Sequence, residues 1–294
     1  MLGWILYQKD TLQDSYENTR FLEEAKLLQI TLKVVHPPDF GWVLGGDFPL
    51  LYKGKAISLP DFVIPRLGAM TDTLTWNLLH FFHLKGVRLF NSLSLIRLAQ
   101  NKLDCLFQLA SLGIPVPKTT ALHLVESTYS IQRVFDFPLV VKNNVGTHGK
   151  GIILCTSDQI LEDLMPILLE QTNQNFIVQE YVDTRPGEDI RIVLTQNTVL
   201  GTMKRIAGRD QWKSNFTLGG KVEPYPWDDS LDSIASKIQK NLTFDLLGID
   251  LLMTESGYVV NEINSAPGFK GMELALKNNM ARLILEQCIE FVPG

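Results

Sequence analysis

Two apolar-rich runs near the carboxyl end, separated by Glu255-Ser256-Gly257, restrict the possible folds more than any other part of the sequence. Their spacing predicts an antiparallel hairpin with a three-residue loop whose glycine is left-handed. If Thr254 pairs with Tyr258, Asp250 lies opposite Glu262. The Cβ atoms of these two acids would then be about 5 Å apart on one face.

Asn264 shares that face with Asp250 and Glu262, because side chains alternate along a strand. Two carboxylates and an amide oxygen suit Mg²⁺, with nucleotide phosphates and water completing the octahedron. A slip of one residue would separate the two acids and leave a surface hairpin with scattered charges. The opposite face is expected to be buried, which favours metal binding. That face carries Ile249, Leu251, Met253, Val259 and Ile263, with Asn261 as a polar exception.

The first ~90 residues predict a small doubly wound α/β unit. The expected order is strand, helix, strand, strand, helix and strand at residues 3–7, 15–28, 31–35, 61–65, 73–85 and 87–90. No Gly-x-Gly-x-x-Gly follows the first strand, so the sequence does not support a dinucleotide site there. One helix is expected over residues 93–112, ended by Gly113 and Pro115, and a closing helix over residues 272–291.

A glycine-rich segment follows a predicted strand that ends at Lys142. Gly146, Gly149 and Gly151 would let backbone N–H groups crowd around a phosphate, and Lys142 and Lys150 would supply positive charge. The alternative is a plain surface hairpin. It is not a Walker loop, because no Gly-Lys-Ser/Thr follows and no helix begins there.

Charges concentrate in the next part of the chain. Alternation places Asp189 and Arg191 on one face of a strand, a pattern that more commonly forms surface cross-strand pairs. Residues 185–221 hold seven Lys or Arg and three Asp or Glu, a local balance of +4 in a chain of net charge −5. This contrast predicts an anion site, and a solvated basic loop is the alternative.

Composition excludes several classes of function. A net charge of −5 argues against a protein that coats nucleic acid or an anionic membrane. Three widely spaced cysteines indicate neither a disulfide framework nor a zinc site. No apolar run approaches the ~20 residues that span a bilayer, and the start is expected to be a strand rather than a signal peptide. We therefore expect a cytoplasmic enzyme.

The motifs follow one order along nearly the whole chain: Lys102, Lys142, Gly146 to Gly151, Gln179-Glu180-Tyr181, Asp189-Ile190-Arg191, Lys213-Ser214-Asn215, Asp250, Glu262 and Asn264, together with residues 59–68, 91–92 and 113–119. This set resembles that of the ATP-grasp ligases, and most closely that of the RimK-type glutamate ligases. The resemblance implies an α/β (α+β) ATP-grasp fold with an amino-terminal pre-ATP-grasp α/β domain at residues 1–92. The ATP-grasp domain would span 93–294, with a small lobe at about 115–182 and a large lobe at about 93–114 plus 183–294.

The resemblance also implies a role for each matching residue. ATP would lie between the lobes and contact Lys102, Lys142, Gly146, Gly149, Gly151, Glu180, Tyr181, Asp189, Lys213, Ser214 and Asn215. One or two Mg²⁺ or Mn²⁺ ions would be held by Asp250, Glu262 and Asn264. Arg205 and Arg191 are the candidate catalytic residues, as a clamp on an acyl phosphate. Residues 261–267 depart from the family, which usually has an apolar residue before the glutamate.

The implied reaction is ATP-dependent amide formation through an acyl phosphate. The amino acid would be glutamate, and the acceptor a peptide, a protein tail or a small carboxylate bound near Arg66, the glycine-rich segment Gly146 to Gly151, Trp212 and Phe269. Two alternatives remain: another ATP-grasp branch, acting on an amino-group carrier protein or a coenzyme, and a non-catalytic ATP-binding regulatory protein. The complete set of metal ligands argues against the second. A homo-oligomer, dimer or tetramer, is expected, with neither nucleic acid nor membrane as a partner.

Overall fold

A four-stranded parallel sheet forms the base of the amino-terminal part. The computed structural model describes residues 1–8, 15–45, 49–68, 71–121, 134–146, 151–169, 175–182, 184–208 and 220–290. The first elements are β1 (Leu2–Tyr7), α1 (Tyr16–Leu27), β2 (Thr31–Val35), β3 (Phe40–Trp42), β4 (Leu50–Tyr52), β5 (Lys55–Ala56), β6 (Phe62–Arg66), α2 (Thr73–Leu84) and β7 (Arg88–Leu89). The parallel sheet has the order β2-β1-β6-β7, while β3, β4 and β5 form a small separate sheet. The predicted α/β unit is thus present, with three extra short strands.

The sheet is closely packed because β1 is short and apolar. Its four central residues are buried, and a Cβ at Gly3 would lie 2.2 Å from the ring of Phe62. The side chain of Ser15 caps α1 by accepting a hydrogen bond from the N–H of Asn18 at 3.2 Å. β1, β2 and β6 are parallel, so their carboxyl ends lie at one edge. Loops that leave this edge are positioned to meet a ligand.

The predicted single helix over residues 93–112 is wrong. The structure has α3 (Leu93–Gln100) and α4 (Lys102–Ser111), separated at Asn101. The side chain of Asn101 accepts from the N–H of Asp104 at 3.1 Å, and its backbone bridges to Val145. Asn101 therefore begins a new helix, because its side chain satisfies a backbone donor that a continuous helix would bond internally. Lys102 becomes the first residue of α4.

A four-stranded antiparallel sheet follows, in the order β10-β9-β11-β8. Its elements are β8 (Thr119–Ala121), β9 (Leu139–Asn143), β10 (Ile152–Cys155), α5 (Asp158–Leu169) and β11 (Phe176–Glu180). Leu139, Val141 and Val178 pack with Leu161 and Met165 of α5 on one face. By alternation, the side chain of Lys142 leaves the sheet on the other face.

The third large sheet is antiparallel and has the order β14-β13-β12-β15-β16. Its elements are β12 (Glu188–Leu194), β13 (Val199–Ile206), β14 (Lys221–Pro224), α6 (Asp229–Asn241), β15 (Leu247–Thr254) and β16 (Gly257–Asn264). Ile190, Ile192 and Ile249 pack with Leu231 and Ile234 of α6 in one apolar core. The opposite face of β12 carries Asp189 and Arg191, as alternation predicts.

The closing helix is also divided. α7 (Lys270–Leu276) ends where Lys277 has φ of 57°, and α8 (Met280–Glu290) follows, so the predicted continuous helix over residues 272–291 is wrong. Phe21 of α1 contacts Phe269 with ring centroids 5.1 Å apart, and Ile284 of α8 belongs to the same core. The amino-terminal unit and the end of the chain thus share a core, and the domain boundary at residue 92 stays a prediction. Among the helices described, none is both long and apolar enough to cross a membrane.

Candidate active site

The β15–β16 hairpin places Asp250 directly opposite Glu262, which confirms the predicted pairing. The predicted turn is wrong, because Thr254 pairs with Gly257 rather than with Tyr258 and only two residues form the loop. Gly257 has φ of 133°, which favours glycine. A bulge after Asp250 compensates for the shorter loop by adding one residue to β16.

Asn261 is the residue that the bulge adds. Leu251 pairs with Val260 while Asp250 pairs with Glu262, so Asn261 has no pairing partner. Its Oδ1 accepts a hydrogen bond from Nζ of Lys142 at 2.9 Å, so its side chain does not lie on the apolar face.

The bulge also changes which residues form that apolar face. Val259 pairs with Leu252, and Val260 takes the place in the apolar core that was predicted for Val259.

Four charged side chains form a row across β13, β12 and β15. Arg205 donates to both carboxylate oxygens of Asp189 at 2.5 Å and to Asp250 at 2.9 Å. Arg191 donates to both oxygens of Asp250 at 2.6 Å. Each pair follows the strand register, since Asp189 faces Arg205 and Arg191 faces Asp250. The pairs are buried ion pairs rather than the surface pairs considered from the sequence.

This row is electrostatically neutral as it stands. Burial opposes the charged form of Asp250, but Arg191 and Arg205 outweigh it and hold the pKa of this carboxyl below its usual range. Lys204 pairs with Glu223 at 2.6 Å, so several cations of the +4 stretch have acidic partners. Within the described residues, the predicted anion site is therefore a set of paired charges rather than an open basic patch.

Two buried lysines lie beside Glu262. Nζ of Lys102 donates to the carbonyl oxygen of Gly146 at 2.6 Å. The backbone N–H of Lys102 donates to the carbonyl oxygen of Asn144 at 3.1 Å. Burial lowers the pKa of both lysines, to about 8 for Lys142, and the negative charge of Glu262 partly offsets this in each. Glu262 of β16 thus interacts with Lys142 of β9 and with Lys102 of α4.

Glu180 and Tyr181 lie at the far end of β11 from Lys142. Glu180 pairs with Leu139, whereas Lys142 pairs with Ile177, a separation of three residues or about 10 Å along the strand. The carboxylate of Glu180 accepts from the N–H of Lys118 at 2.9 Å, which fixes this end of the strand. Tyr181 is half-buried and follows directly.

Asp250, Glu262 and Asn264 offer the oxygen ligands that a hard divalent cation prefers. In the described part of the chain, the buried Nδ2 of Asn264 has no hydrogen-bond partner. Both oxygens of Asp250 are engaged by arginine, so a cation there would compete with Arg191. The residues fit a cation, and their use as ligands stays a prediction.

The remaining predicted residues are only partly described. The carbonyl oxygen of Gly146 accepts the hydrogen bond from Lys102. Gly151 has φ of 70° and directly precedes β10. Gly149, Lys213, Ser214 and Asn215 lie outside the described residues, as does Trp212.

Three asparagines were missed as parts of this site: Asn101, Asn144 and Asn261. Asn101 separates the helices, and Asn144 Oδ1 accepts from the N–H of Leu103 at 2.8 Å. Only Asn261 had a signal in the sequence, as a polar residue among apolar neighbours.

Comparison with known proteins points to one family. Residues 99–288 match the RimK-like ATP-grasp domain. A protein of Rhodopirellula baltica named "Probable alpha-L-glutamate ligase" is 31% identical over 273 residues, which cover 92% of this chain and 67% of that protein. A protein of the same name from Trichodesmium erythraeum is 31% identical over 238 residues, covering 81% of this chain and 79% of that one.

Solved structures with the same fold include other ATP-grasp proteins. The RimK domain ATP-grasp protein of Sphaerobacter thermophilus has a TM-score of 0.73 at 18% identity and covers 100% of both chains. The D-cycloserine synthetase DcsG has a TM-score of 0.74 at 17% identity and also covers 100% of both. The ATP-grasp ligase PsnB, complexed with its minimal precursor, Mg and ADP, has a TM-score of 0.68 at 16% identity, covering 98% of this chain and 97% of that one. At these identities the likeness shows the fold alone.

Proposed function

Since this chain belongs to the RimK-like ATP-grasp family and is an ATP-dependent ligase of that fold, we propose that it joins L-glutamate to a substrate carboxylate and releases ADP. The glutamate ligase names of relatives at 31% identity support the choice of amino acid. One arrangement carries the proposal: two buried lysines, Lys142 of β9 and Lys102 of α4, interact with the carboxylate of Glu262 on β16. This arrangement suits a triphosphate and its counter-ion better than a neutral metabolite.

ATP would lie along β9 and β11. Lys102 and Lys142 would bind phosphates, while the end of β11, about 10 Å away, would meet adenine through backbone groups of Glu180 and Tyr181. This separation suits the length of a nucleotide. Asp189 would approach the ribose only by sharing its carboxylate with Arg205. Gly146, Gly149 and Gly151 would cover the phosphates, and Lys213, Ser214 and Asn215 would line the remainder.

Asp250, Glu262 and Asn264 would hold Mg²⁺, and the solved PsnB complex with Mg and ADP supports that ion in this fold. When bound, the cation would offset the negative charge of the phosphates and of the transferred phosphoryl group. We extend the proposal to Mn²⁺ and to one or two ions, since carboxylate and amide oxygens suit both metals.

The chain's own residues would stabilise two successive steps. First, a substrate carboxylate oxygen attacks the γ-phosphorus of ATP, giving an acyl phosphate while ADP leaves. Second, the amine of glutamate attacks the acyl carbon, an amide forms, phosphate leaves and the amine loses a proton. Arg191 and Arg205 would bind the developing negative charge, because a guanidinium matches phosphate and carboxylate oxygens bidentately.

For the acceptor we propose the carboxylate of a peptide, of a protein tail or of a small metabolite. The complex of PsnB with its minimal precursor supports a peptide, whereas D-cycloserine synthetase shows the same fold in a synthetase of a small molecule. We further propose a division at residues 92 and 93, assembly as a homodimer or homotetramer, and a cytoplasmic location. The three free, buried cysteines favour a reducing compartment.

The test combines ATP and MgCl₂ with pools of amino acids and carboxylates and measures ADP and phosphate release. Release that requires glutamate supports the proposal. Glu262→Ala should abolish release, since it removes a carboxylate expected at the cation. Glu255→Ala is the matched control, because it removes an exposed glutamate of the same hairpin and should leave turnover unchanged.

Two results would refute the proposal. Undiminished turnover of a folded Glu262→Ala protein would exclude the metal assignment. Release with a different amino acid, and none with glutamate, would exclude the substrate.

A further inference from the structure

Arg66 lies where the amino-terminal sheet meets the loop that follows β16. It is the last residue of β6, at the carboxyl edge of the parallel strands, and its side chain is only 10% exposed. Nη1 is 3.4 Å from the carbonyl oxygen of Pro267. Pro267 is three residues beyond Asn264, a predicted metal ligand.

The guanidinium of Arg66 is poorly satisfied for a buried cation. In the part of the chain that the structure describes, Nε has no hydrogen-bond partner, and the ion pair with Glu17 spans 3.8 Å. The other oxygen of this carboxylate, Oε1 of Glu17, accepts the N–H groups of Phe269 and Lys270 at 3.1 and 3.3 Å, which holds Glu17 against the loop after β16. A buried charge with only long contacts is costly, so an additional anionic partner would stabilise it.

Two other arginines of this chain, Arg20 and Arg205, make more and shorter hydrogen bonds to acidic side chains than Arg66 does. Arg20 donates to three carboxylates and an amide oxygen at 2.7–3.2 Å. Arg205 makes its three bonds at 2.5–2.9 Å. Arg66 differs from both, although its side chain is as buried as that of Arg205 and more buried than that of Arg20. The ring of Phe21, 5.8 Å from its guanidinium carbon, packs beside it without using its donors.

Asn18 is a second unsatisfied group, and it lies on the face of α1 that carries Phe21. Asn18 is fully buried, and among the described residues neither its Nδ2 nor its Oδ1 has a partner. It precedes Phe21 by three residues, which places the two side chains on one face of the helix. The helix that contacts Arg66 through Phe21 therefore also carries a buried amide that is unsatisfied among the described residues.

Two connections tie Arg66 to the nucleotide site. The Pro267 loop leads back to Asn264 on one side. On the other, Gln100 Nε2 donates to the carbonyl oxygen of Gly68 at 2.9 Å, and Lys102 follows Gln100 by two residues. Arg66 is thus linked through short stretches of chain to a predicted metal ligand and to a predicted phosphate ligand.

We propose that Arg66 binds a substrate carboxylate that is not itself activated, with Glu17 as the residue that positions the loop. This assignment rests on the proposed ligase function. Two sources share the chemistry: the α-carboxylate of the incoming amino acid and a second carboxylate of the acceptor. A bidentate contact to Arg66 would keep that group ionised and away from ATP.

The test measures ligand binding rather than turnover, so that it does not depend on the ligase reaction. With AMP-PNP and MgCl₂ present, calorimetry would titrate L-glutamate and, separately, N-acetyl-L-glutamate, which has no free amine. Arg66→Gln should weaken the binding of one ligand about 10- to 100-fold, the range for charge-assisted hydrogen bonds. Arg66→Lys should fall between Arg66→Gln and the native protein. Affinity for AMP-PNP should not change.

Arg282→Gln is the matched control, because Arg282 is 45% exposed in a surface ion pair. Loss of glutamate binding alone identifies the incoming amino acid, and loss of N-acetylglutamate binding alone identifies the acceptor. If Arg66→Gln does not fold, Arg66→Lys with intact AMP-PNP binding provides the comparison.

The proposal is overturned if the native protein binds neither ligand, or if both Arg66 variants bind as it does. If glutamate binding depends on Arg66 but no substrate pair yields ADP, the proposed ligase reaction fails while the carboxylate site stands.

Discussion

The amide oxygen of Asn261 accepts a hydrogen bond from the ammonium group of Lys142 at 2.9 Å, across the gap between the two antiparallel sheets. The contact exists because a bulge in β16 adds Asn261 next to Glu262. Lys142 is only 4% exposed, so the bond supplies a polar partner for a nearly buried cation. It thereby joins the expected phosphate-binding strand to the expected metal-binding strand.

Replacing Asn261 by Val should weaken ATP binding. The buried ammonium of Lys142 would lose its acceptor, a loss of about 1–3 kcal/mol, so the KM for ATP should rise by roughly 5- to 150-fold. Asn261→Asp keeps an acceptor and should bind nucleotide better than Asn261→Val does. Ser256→Ala, on the exposed loop, is the control. An unchanged KM in Asn261→Val would show that the bond does not position Lys142.

Nucleotide affinity should fall as pH rises above about 8. Burial lowers the pKa of Lys142 to about 8, so the free protein loses this charge in mildly alkaline solution. Binding titrations from pH 6.5 to 9.5 would show the loss, and Lys142→Arg should move it beyond this range because arginine stays charged. A profile identical in the two proteins would contradict the assignment.

The same pKa has a defined effect on folding. An unfolded lysine keeps its proton to about pH 10.4. Below pH 8, therefore, the buried charge of Lys142 lowers the free energy of unfolding. This penalty disappears gradually as the pH rises from 8 to about 10.4, so stability should increase over that range.

Asp189→Asn should destabilise the protein by about 3 kcal/mol. It breaks a buried ion pair and leaves Arg205 with Asp250 as its only carboxylate among the described contacts. Urea denaturation would measure the change. Glu23→Gln is the comparison, because the Glu23 side chain is 55% exposed in its ion pair with Arg20, and its removal should cost under about 1 kcal/mol. Equal losses would mean that the row contributes no more than a surface pair.

Gly3→Ala should also destabilise the protein, by about 1–3 kcal/mol, because the new Cβ would meet the Phe62 ring at 2.2 Å. Gly41→Ala is the control, since nothing lies within 4 Å of the Cβ position there. Thermal unfolding of both variants would measure the difference. A Gly3→Ala protein as stable as Gly41→Ala would show that the ring moves aside without loss.

Local patterns predicted much of the fold. The strands around Ile5, Ile64 and Val141 and the hairpin around Ser256 follow from apolar runs, alternation and turn residues. The opposition of Asp250 and Glu262 was also predicted, although the assumed loop was one residue too long. The bulge corrected that error, and no local rule indicated it.

The sequence by itself determined which side chains share a strand face, because alternation is a property of the extended backbone: Asp189 with Arg191, and Ile190 with Ile192. Only the tertiary structure decided their partners. Arg191 meets Asp250 and Arg205 meets Asp189 because strands far apart in the chain lie side by side. The break at Asn101, the Lys142–Asn261 contact and the unsatisfied guanidinium of Arg66 likewise depend on contacts between distant segments, which no short-range pattern encodes.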